Sequence, residues 1–93
     1  MTNSDLISVI MSTYNSEEMV KKSIESIISQ SYRNFELLII DDASTDSTFK
    51  IISSYQAKYK NIKIFQNQKN IGLTKSLNIL LEKTQGEYIA RQD

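Results

Sequence analysis

Two adjacent carboxylates, Asp41 and Asp42, are the residues of this 93-residue sequence that most strongly indicate chemistry. They follow directly on an apolar run, Leu-Leu-Ile-Ile, at residues 37–40. An uninterrupted run of this kind is typical of a strand buried on both faces of a parallel sheet. Neighbouring acids at the end of such a strand repel each other and lose hydration, so they require a cation, hydrogen-bond donors or a ligand. We therefore expect a functional site here, or else a cap for the helix that follows.

The composition limits the chemistry that such a site can perform. The 11 basic and 11 acidic residues balance, so no overall field attracts nucleic acid or an anionic membrane. Cysteine and histidine are absent, which excludes disulfides, thiolate metal sites and the commonest general base. The remaining options are carboxylates, hydroxyls, amides, Lys, Arg or a hard cation such as Mg²⁺ or Mn²⁺. The polar start and the short apolar run at 7–11 predict neither a signal peptide nor a membrane span, so we expect a cytoplasmic protein.

The hydrophobic pattern predicts four strands that alternate with three helices. The strands are expected at residues 6–11, 35–40, 62–65 and 87–90. We expect the first helix to begin at Asn15 with a capping box to Glu18, the second to be capped within residues 43–48, and the third to stop at Gly86 in a left-handed cap. The predicted buried faces of the helices are Val20, Ile24, Ile27 and Ile28; Phe49, Ile52, Tyr55 and Tyr59; and Leu73, Leu77, Leu80 and Leu81.

This alternation predicts an α/β fold with three αβα layers and a mostly parallel, Rossmann-like sheet. The third strand is the least hydrophobic and is expected near a sheet edge. Ligands of such sheets bind beyond the carboxyl ends of the strands. We therefore expect residues 13–15, 41–42 and 66–67 and Asp93 to gather on one rim.

Glycine usage indicates which ligands this rim can bind. Only two glycines are present and neither follows the first strand, which disfavours dinucleotide and P-loop phosphate sites. A diphosphate can instead be neutralised by a divalent cation bound to carboxylates, and Asp41, Asp42 and Asp93 are suitable residues. The spaced lysines at 58, 60, 63 and 69 are interpreted as a solvated face, so we expect no nucleic-acid partner.

Five segments together carry a family resemblance that runs over nearly the whole chain. They are Ile-Ser-Val-Ile-Met-Ser-Thr-Tyr-Asn at 7–15, Ser-Gln-Ser-Tyr at 29–32, Asp-Asp-Ala-Ser-Thr-Asp at 41–46, Asn-Ile-Gly-Leu at 70–73 and Gly-Glu-Tyr-Ile-Ala-Arg-Gln-Asp at 86–93. In this order they resemble the family 2 glycosyltransferases of the GT-A fold. The resemblance implies a single domain, residues 1–93, that is the N-terminal nucleotide-binding half of a GT-A enzyme. Such an enzyme transfers a sugar from a nucleoside-diphosphate donor, here expected to be a UDP-sugar, to a glycan or lipid-linked acceptor in bacterial-type surface polysaccharide synthesis.

The resemblance assigns one group of residues to the nucleobase. Ser12, Thr13 and Tyr14 would line the base pocket, although Tyr14 could instead be a half-buried core ring. Asp42 would accept a hydrogen bond from a uracil-type base. Asp41 would support it.

A second group is assigned to the diphosphate. Lys75 would reach the phosphates, and Asp93 matches the first acid of the family's Asp-x-Asp motif. Carboxylates of that motif meet the ribose and the metal-bound diphosphate, so the resemblance implies a divalent cation, Mn²⁺ or Mg²⁺, at Asp93. Because the sequence stops there, the second acid, the acceptor half and the general base would be missing, and we expect these 93 residues to be inactive. We also expect self-association through an exposed sheet edge, and a peripheral position at the inner face of the membrane for a full-length protein.

Two other classes of protein remain as alternatives. A non-catalytic nucleotide-sugar-binding or assembly module would share every residue discussed above. Phospho-acceptor signalling domains also carry paired acids, but they place the pair after their first strand and a further acid after a central strand. Here the pair follows the second strand, and the third ends in Gln66-Asn67.

Overall fold

The apolar runs of the sequence form the strands of one sheet in the computed structural model, which describes residues 6–30, 34–86 and 88–92. Strands and helices alternate along the described chain, as the hydrophobic pattern predicts. The elements are β1 (Ile7–Thr13), α1 (Val20–Ile28), β2 (Phe35–Asp41), α2 (Thr48–Lys58), β3 (Ile62–Gln66), α3 (Leu73–Leu81) and β4 (Tyr88–Gln92). The predicted α/β class is therefore confirmed.

The four strands lie in the order β3-β2-β1-β4, and every neighbouring pair is parallel. As predicted, β3 lies at an edge. Thr13 pairs with Asp41, and Asp41 pairs in turn with Gln66. The carboxyl ends of β1, β2 and β3 are therefore level with one another, and the polar residues that follow them share one rim.

The central strand β2 divides its side chains between two apolar layers. Leu37 and Ile39 belong to the cluster that α1 and α2 cover, whereas Leu38 and Ile40 pack with residues of α3. Successive side chains of a strand point to opposite faces, so a strand buried on both faces must be apolar at every position. This confirms the predicted three-layer arrangement.

The start of α1 differs from the predicted capping box. The helix begins at Val20 after a turn, and no side chain caps it. Asn15 has a φ of 46°, and its Oδ1 accepts hydrogen bonds from Thr45 in the loop after β2. The Asn15 side chain therefore binds a distant loop instead of capping the helix that follows it.

The buried face of α3 is narrower than predicted. Leu77 and Leu80 are buried, but Leu73 and Leu81 at the two ends of the helix are exposed. The fully buried Ser76 lies beside Leu77 on the same helix and was not among the predicted positions.

Gly86 is needed for close packing and not for a helix cap. The helix α3 ends at Leu81, and Gly86 lacks the left-handed conformation that Gly72 has. The N–H of Gly86 donates to Ser8 Oγ, which in turn donates to the buried carboxylate of Glu36. The predicted left-handed cap is therefore wrong, because the chain passes too close to β1 at this point for any side chain.

Gly86→Ala is expected to lower the free energy of unfolding by about 2 kcal/mol, which is typical of overpacking in a dense region. An added Cβ would lie 2.7 Å from the Leu6 carbonyl oxygen and 2.8 Å from the Ser8 nitrogen, and neither backbone atom can turn away. Urea unfolding followed by circular dichroism measures the change. Adding Ser8→Ala removes only the hydroxyl contact, so it should not restore stability; full recovery in the double variant would contradict this explanation.

Strand β4 forms the other edge of the described sheet, and Ile89 is 49% exposed there. The expected self-association through this edge stays a prediction. Within the described residues, none of the helices is long and apolar enough to cross a bilayer.

Candidate functional site

Asp41 is the centre of the rim, and its carboxylate is fully buried. Its Oδ1 accepts hydrogen bonds from Thr13 Oγ1 at 2.8 Å and from Ser44 Oγ at 2.6 Å. Its Oδ2 accepts the Ser44 N–H at 2.9 Å. These donors come from the end of β1 and from the loop after β2. Asp41 therefore joins these two segments and faces away from solvent.

Asp42 binds a third segment, the chain that leads into α3. Only 3% of Asp42 is exposed. Its Oδ1 accepts the Ile71 N–H at 2.8 Å and the Asn67 side-chain amide at 3.0 Å, and its Oδ2 accepts the Gly72 N–H at 2.9 Å. Its own N–H donates to the Thr13 carbonyl at 2.8 Å. Asp42 therefore joins the ends of β1, β2 and β3 to the start of α3.

The pKa of the Asp42 carboxyl reflects this environment. Burial raises it, but two backbone N–H groups, an amide and the Ser76 hydroxyl lower it further, so that the pKa lies below its usual value of 3.8. The buried Glu36 carboxyl is similar: burial raises its pKa, and donors from Ser8, Gln85 and Lys63 lower it below the usual 4.5. Both groups are therefore stabilised in their charged form by the fold.

These pKa directions predict acid sensitivity. A carboxyl whose folded pKa is depressed contributes stability that is fully present above its unfolded pKa and is lost as the pH falls through the folded pKa. We expect the urea midpoint to be constant above about pH 5 and to fall steadily below about pH 4, since the unfolded values of Asp and Glu lie near 4. Asp42→Asn should flatten this fall. A midpoint that rises between pH 5 and pH 3 would contradict the assignment.

The loops after β1 and β2 are joined by a set of hydrogen bonds that we call the loop clasp. Its bonds run from Asn15 N–H to Ser44 Oγ at 2.8 Å, from Thr45 N–H to Asn15 Oδ1 at 2.8 Å, from Ser16 N–H to Thr48 Oγ1 at 2.8 Å and from Glu17 N–H to Asp46 Oδ2 at 3.3 Å. Asp46 also accepts the Thr48 N–H at the start of α2. The two loops therefore form one unit.

Ala43 lies between the two acids and the loop clasp with a φ of 62°. The left-handed conformation costs an L-residue roughly 1–2 kcal/mol, whereas glycine adopts it freely at a smaller cost in unfolded-state entropy. Ala43→Gly is therefore expected to raise the free energy of unfolding by about 0.5–1 kcal/mol, measured by urea unfolding. The same substitution at the exposed helical Ala57 is the matched control and should lower it by about 1 kcal/mol. A loss of stability at both positions would show that strain at Ala43 is not the cause.

The other residues expected at the site differ in their exposure and in their hydrogen-bond partners. Tyr14 is 50% exposed at the rim and belongs to neither apolar cluster, which speaks against the alternative of a core ring. Ser12 lies in β1 opposite Ile40 and is partly buried. Lys75 is exposed in the first turn of α3 and makes no hydrogen bond or ion pair with any described residue. Asp93 lies outside the described residues.

No group of three or more acidic side chains that could hold a metal ion occurs in the described ranges, and the sequence has no Cys or His. Asp41 and Asp42 already accept hydrogen bonds from the chain itself through both carboxylate oxygens. The described residues therefore do not assemble a cation site by themselves, and these two acids act as anchors.

The sequence predicts that Asn67 lies on the rim but indicates no role for it in the site. An open depression of about 540 Å³ lies beside it, lined by Asn67, Gln68, Lys69 and Ile71. The position of Asn67 directly after a strand was the available signal. The role of the Ile71 and Gly72 N–H groups could not be predicted from the sequence, because every residue except proline has a backbone N–H.

A parallel sheet with loops joined at the carboxyl ends of its strands defines the chain as a protein of the α/β class, in which ligands bind at that edge of the sheet. The sequence model of Glycosyl transferase family 2 matches residues 8–93. The chain belongs to this family, and the resemblance seen in the sequence is confirmed.

Relatives and solved structures agree with this assignment. The chain is 51% identical, over its whole length, to the Bacillus subtilis (strain 168) protein named glycosyltransferase EpsE, and it covers 34% of that protein. It is 35% identical to the teichuronic acid biosynthesis glycosyltransferase TuaG of the same organism, of which it covers 37%. The crystal structure of S. aureus TarS 1-349 superimposes with a TM-score of 0.85 at 34% identity, covering 100% of this chain and 27% of TarS. The chain thus spans about a third of the length of these relatives.

Proposed function

We propose that this chain binds the nucleotide part of a nucleoside-diphosphate sugar at the rim formed by β1, β2, β3 and the start of α3. The observation that carries the proposal is the buried Asp42, which joins these four elements through its carboxylate and its backbone N–H, while the exposed Tyr14 directly follows its partner Thr13. S. aureus TarS, at 34% identity, has been solved in complex with UDP and with UDP-GlcNAc. These complexes support a uridine nucleotide as the ligand.

On the base side, Tyr14 supplies an exposed aromatic face for stacking, and Ser12 and Thr13 lead up to it. Asp42 accepts the imide N–H of a uracil-type base. Because its oxygens already accept several donors of the chain, the base N–H replaces one of them, and the Asn67 side-chain amide is the donor that can rotate away. The N–H groups of Ile71 and Gly72 belong to the backbone and stay in place. Asp41 holds the loops and does not meet the ligand.

On the diphosphate side, Lys75 is free to reach the phosphates from the first turn of α3. We assign Asp93 to the ribose and to a divalent cation, Mn²⁺ or Mg²⁺, whose charge would offset that of the diphosphate. The described residues complete no cation site, so the further ligands of the ion must come from the diphosphate, from water or from residues outside the described ranges. Metal dependence is for this reason a separate arm of the experiment below.

For the longer protein we propose transfer of the sugar to a glycan or lipid-linked acceptor in surface polysaccharide synthesis, as the name of the relative TuaG suggests. An inverting transfer needs a general base for the acceptor hydroxyl. The two rim acids within the described residues are both committed to internal hydrogen bonds. We therefore propose that the general base and the acceptor site lie outside residues 1–93. On this proposal, these residues alone bind nucleotide without turnover. We further propose that the reaction of the longer protein takes place in the cytoplasm at the inner face of the membrane.

Isothermal titration calorimetry with UDP tests the proposal, with ADP as the control for base recognition and with each titration repeated in Mn²⁺. We expect one UDP site, tighter binding in Mn²⁺ and weaker binding of ADP. Equal affinities for UDP and ADP would contradict the role of Asp42 and Tyr14. A donor turnover assay on the same protein should show no sustained sugar transfer, and steady turnover would contradict the proposal that the catalytic base lies elsewhere.

A further inference from the structure

Tyr14 owes its position to its neighbours and not to its own packing. Half of the residue is exposed, and it belongs to neither apolar cluster of the core. The residue before it is anchored, because Thr13 donates to Asp41 and accepts the N–H of Asp42. The residue after it, Asn15, is anchored through the loop clasp. The segment that presents Tyr14 is therefore fixed at both ends by the loop after β2.

Asn15 takes part in most of the hydrogen bonds that anchor the segment after Tyr14. Its N–H donates to Ser44 Oγ, and its Oδ1 accepts both the N–H and the hydroxyl of Thr45. Ser44 passes this connection to the fully buried Asp41, to which its hydroxyl donates. A continuous path of hydrogen bonds thus runs from the exposed Asn15 to the buried centre of the rim.

The backbone at this anchor is held in an uncommon conformation. Within the described ranges, the non-glycine residues with positive φ are Asn15 and Ala43, and each lies in one of the two loops that the clasp joins. Such conformations persist only where the surrounding structure determines them. Asparagine tolerates the left-handed region better than most residues and also brings a side-chain acceptor, so one residue meets both requirements.

We propose that Asn15 is a positioning residue for the nucleotide site: through the loop clasp it holds Tyr14 in the geometry that receives the base. This inference rests on the proposed function. Asn15 needs no contact with the nucleotide. Without its side chain, the segment that carries Tyr14 must be ordered at the moment of binding, and that entropy cost weakens affinity.

The decisive variant is Asn15→Gly, because glycine keeps the left-handed backbone without strain while the side-chain acceptor is lost. Glycine also adds backbone freedom, and comparison with the Asn15→Asp variant below shows how much of the loss follows the acceptor. We expect UDP to bind about five- to tenfold more weakly by calorimetry, with the loss carried by the binding entropy. The matched control is Asn78→Gly on the exposed face of α3, which loses stability as any helical glycine does but leaves the clasp intact. Its UDP affinity should equal that of the unchanged chain.

A rescue variant separates positioning from simple loss of an amide. Asn15→Asp keeps an oxygen that can accept the Thr45 N–H and also tolerates the left-handed backbone. The neutral ligand uridine avoids repulsion between the new charge and a diphosphate. We expect uridine to bind Asn15→Asp within about twofold of the unchanged chain and Asn15→Gly about five- to tenfold more weakly.

Three results would overturn the inference, and they can be told apart. Unchanged UDP affinity in Asn15→Gly shows that the clasp does not position Tyr14. An equal loss of affinity in Asn78→Gly shows that general stability is responsible. If the unchanged chain itself fails to bind UDP, the proposed function fails first, and the inference falls with it before any variant is compared.

Discussion

Replacing Asp41 by alanine is expected to lower the free energy of unfolding by about 4 kcal/mol, because two hydroxyls and one N–H lose their common acceptor at a buried position. Asp41 is fully buried, so the donors that face it lose their partner inside the fold. The loops after β1 and β2 would also lose their common centre, since Ser44 joins Asp41 to Asn15. Urea unfolding monitored by circular dichroism measures the change. For a domain of this size, such a loss approaches the whole stability.

Asp41→Asn is the graded control for this prediction. The amide oxygen can still accept from Thr13 and from the Ser44 hydroxyl, but the amide nitrogen then faces the Ser44 N–H, and two donors oppose each other. The asparagine variant should therefore lie between alanine and the unchanged chain. If Asp41→Ala costs less than about 1 kcal/mol, its donors have found other partners and Asp41 is not the centre of the rim.

Asp42→Ala is expected to weaken UDP binding by about 30-fold or more, because it removes the acceptor of the base N–H and releases the segment before α3. The Ile71 and Gly72 N–H groups that now bind the carboxylate would lose their partner, and the wall of the depression at residues 67–71 would lose its support. Calorimetry at a temperature where circular dichroism shows a fully folded variant measures the affinity.

Asn67→Ala is the matched control for Asp42→Ala. It removes a single donor from the Asp42 carboxylate and leaves the two backbone donors in place. Because the incoming base is proposed to displace this amide, the variant should bind UDP as tightly as the unchanged chain or up to about threefold more tightly. If Asp42→Ala and Asn67→Ala weaken binding equally, the carboxylate acts only through the Asn67 amide and does not meet the base.

The order of strands and helices could be predicted from the sequence because the burial of each element determines which of its positions are apolar. The run at 37–40 is apolar at every position, and the structure buries each of its side chains. In α1, the buried Val20, Ile24 and Ile27 follow the predicted helical spacing. Such a pattern depends only on which faces of an element are buried, so it can be recognised without knowing which elements pack against it.

The partners of polar side chains could not be predicted in the same way. Asn15 and Glu18 have the spacing of a local helix cap, yet the partner of the Asn15 side chain is Thr45, 30 residues along the chain. The spacing reports only which groups are near in sequence. The predicted helix cap at Gly86 is wrong for the same reason, because the close neighbour of Gly86 is Ser8, at the other end of the chain.

The different roles of the two acids follow from strand geometry. Neighbouring residues at the end of a strand point to opposite faces of the sheet. Asp41 therefore meets Ser44 in the loop that leads to α2, whereas Asp42 meets Ile71 and Gly72 at the start of α3. The sequence identified the pair as important, and the alternation of faces explains why one acid is an anchor and the other is proposed to read the base.

An NMR titration of the ¹⁵N-labelled chain with UDP is the most direct test of nucleotide binding at this rim. We expect the backbone amide signals of Tyr14, Asp42, Ile71 and Gly72 to shift together with a single affinity, while those of Lys21 and Ser54 in the groove between α1 and α2 do not shift. Shifts that concentrate in that groove, or an absence of shifts at the rim when UDP is present in large excess, would contradict the claim that this rim binds the nucleotide.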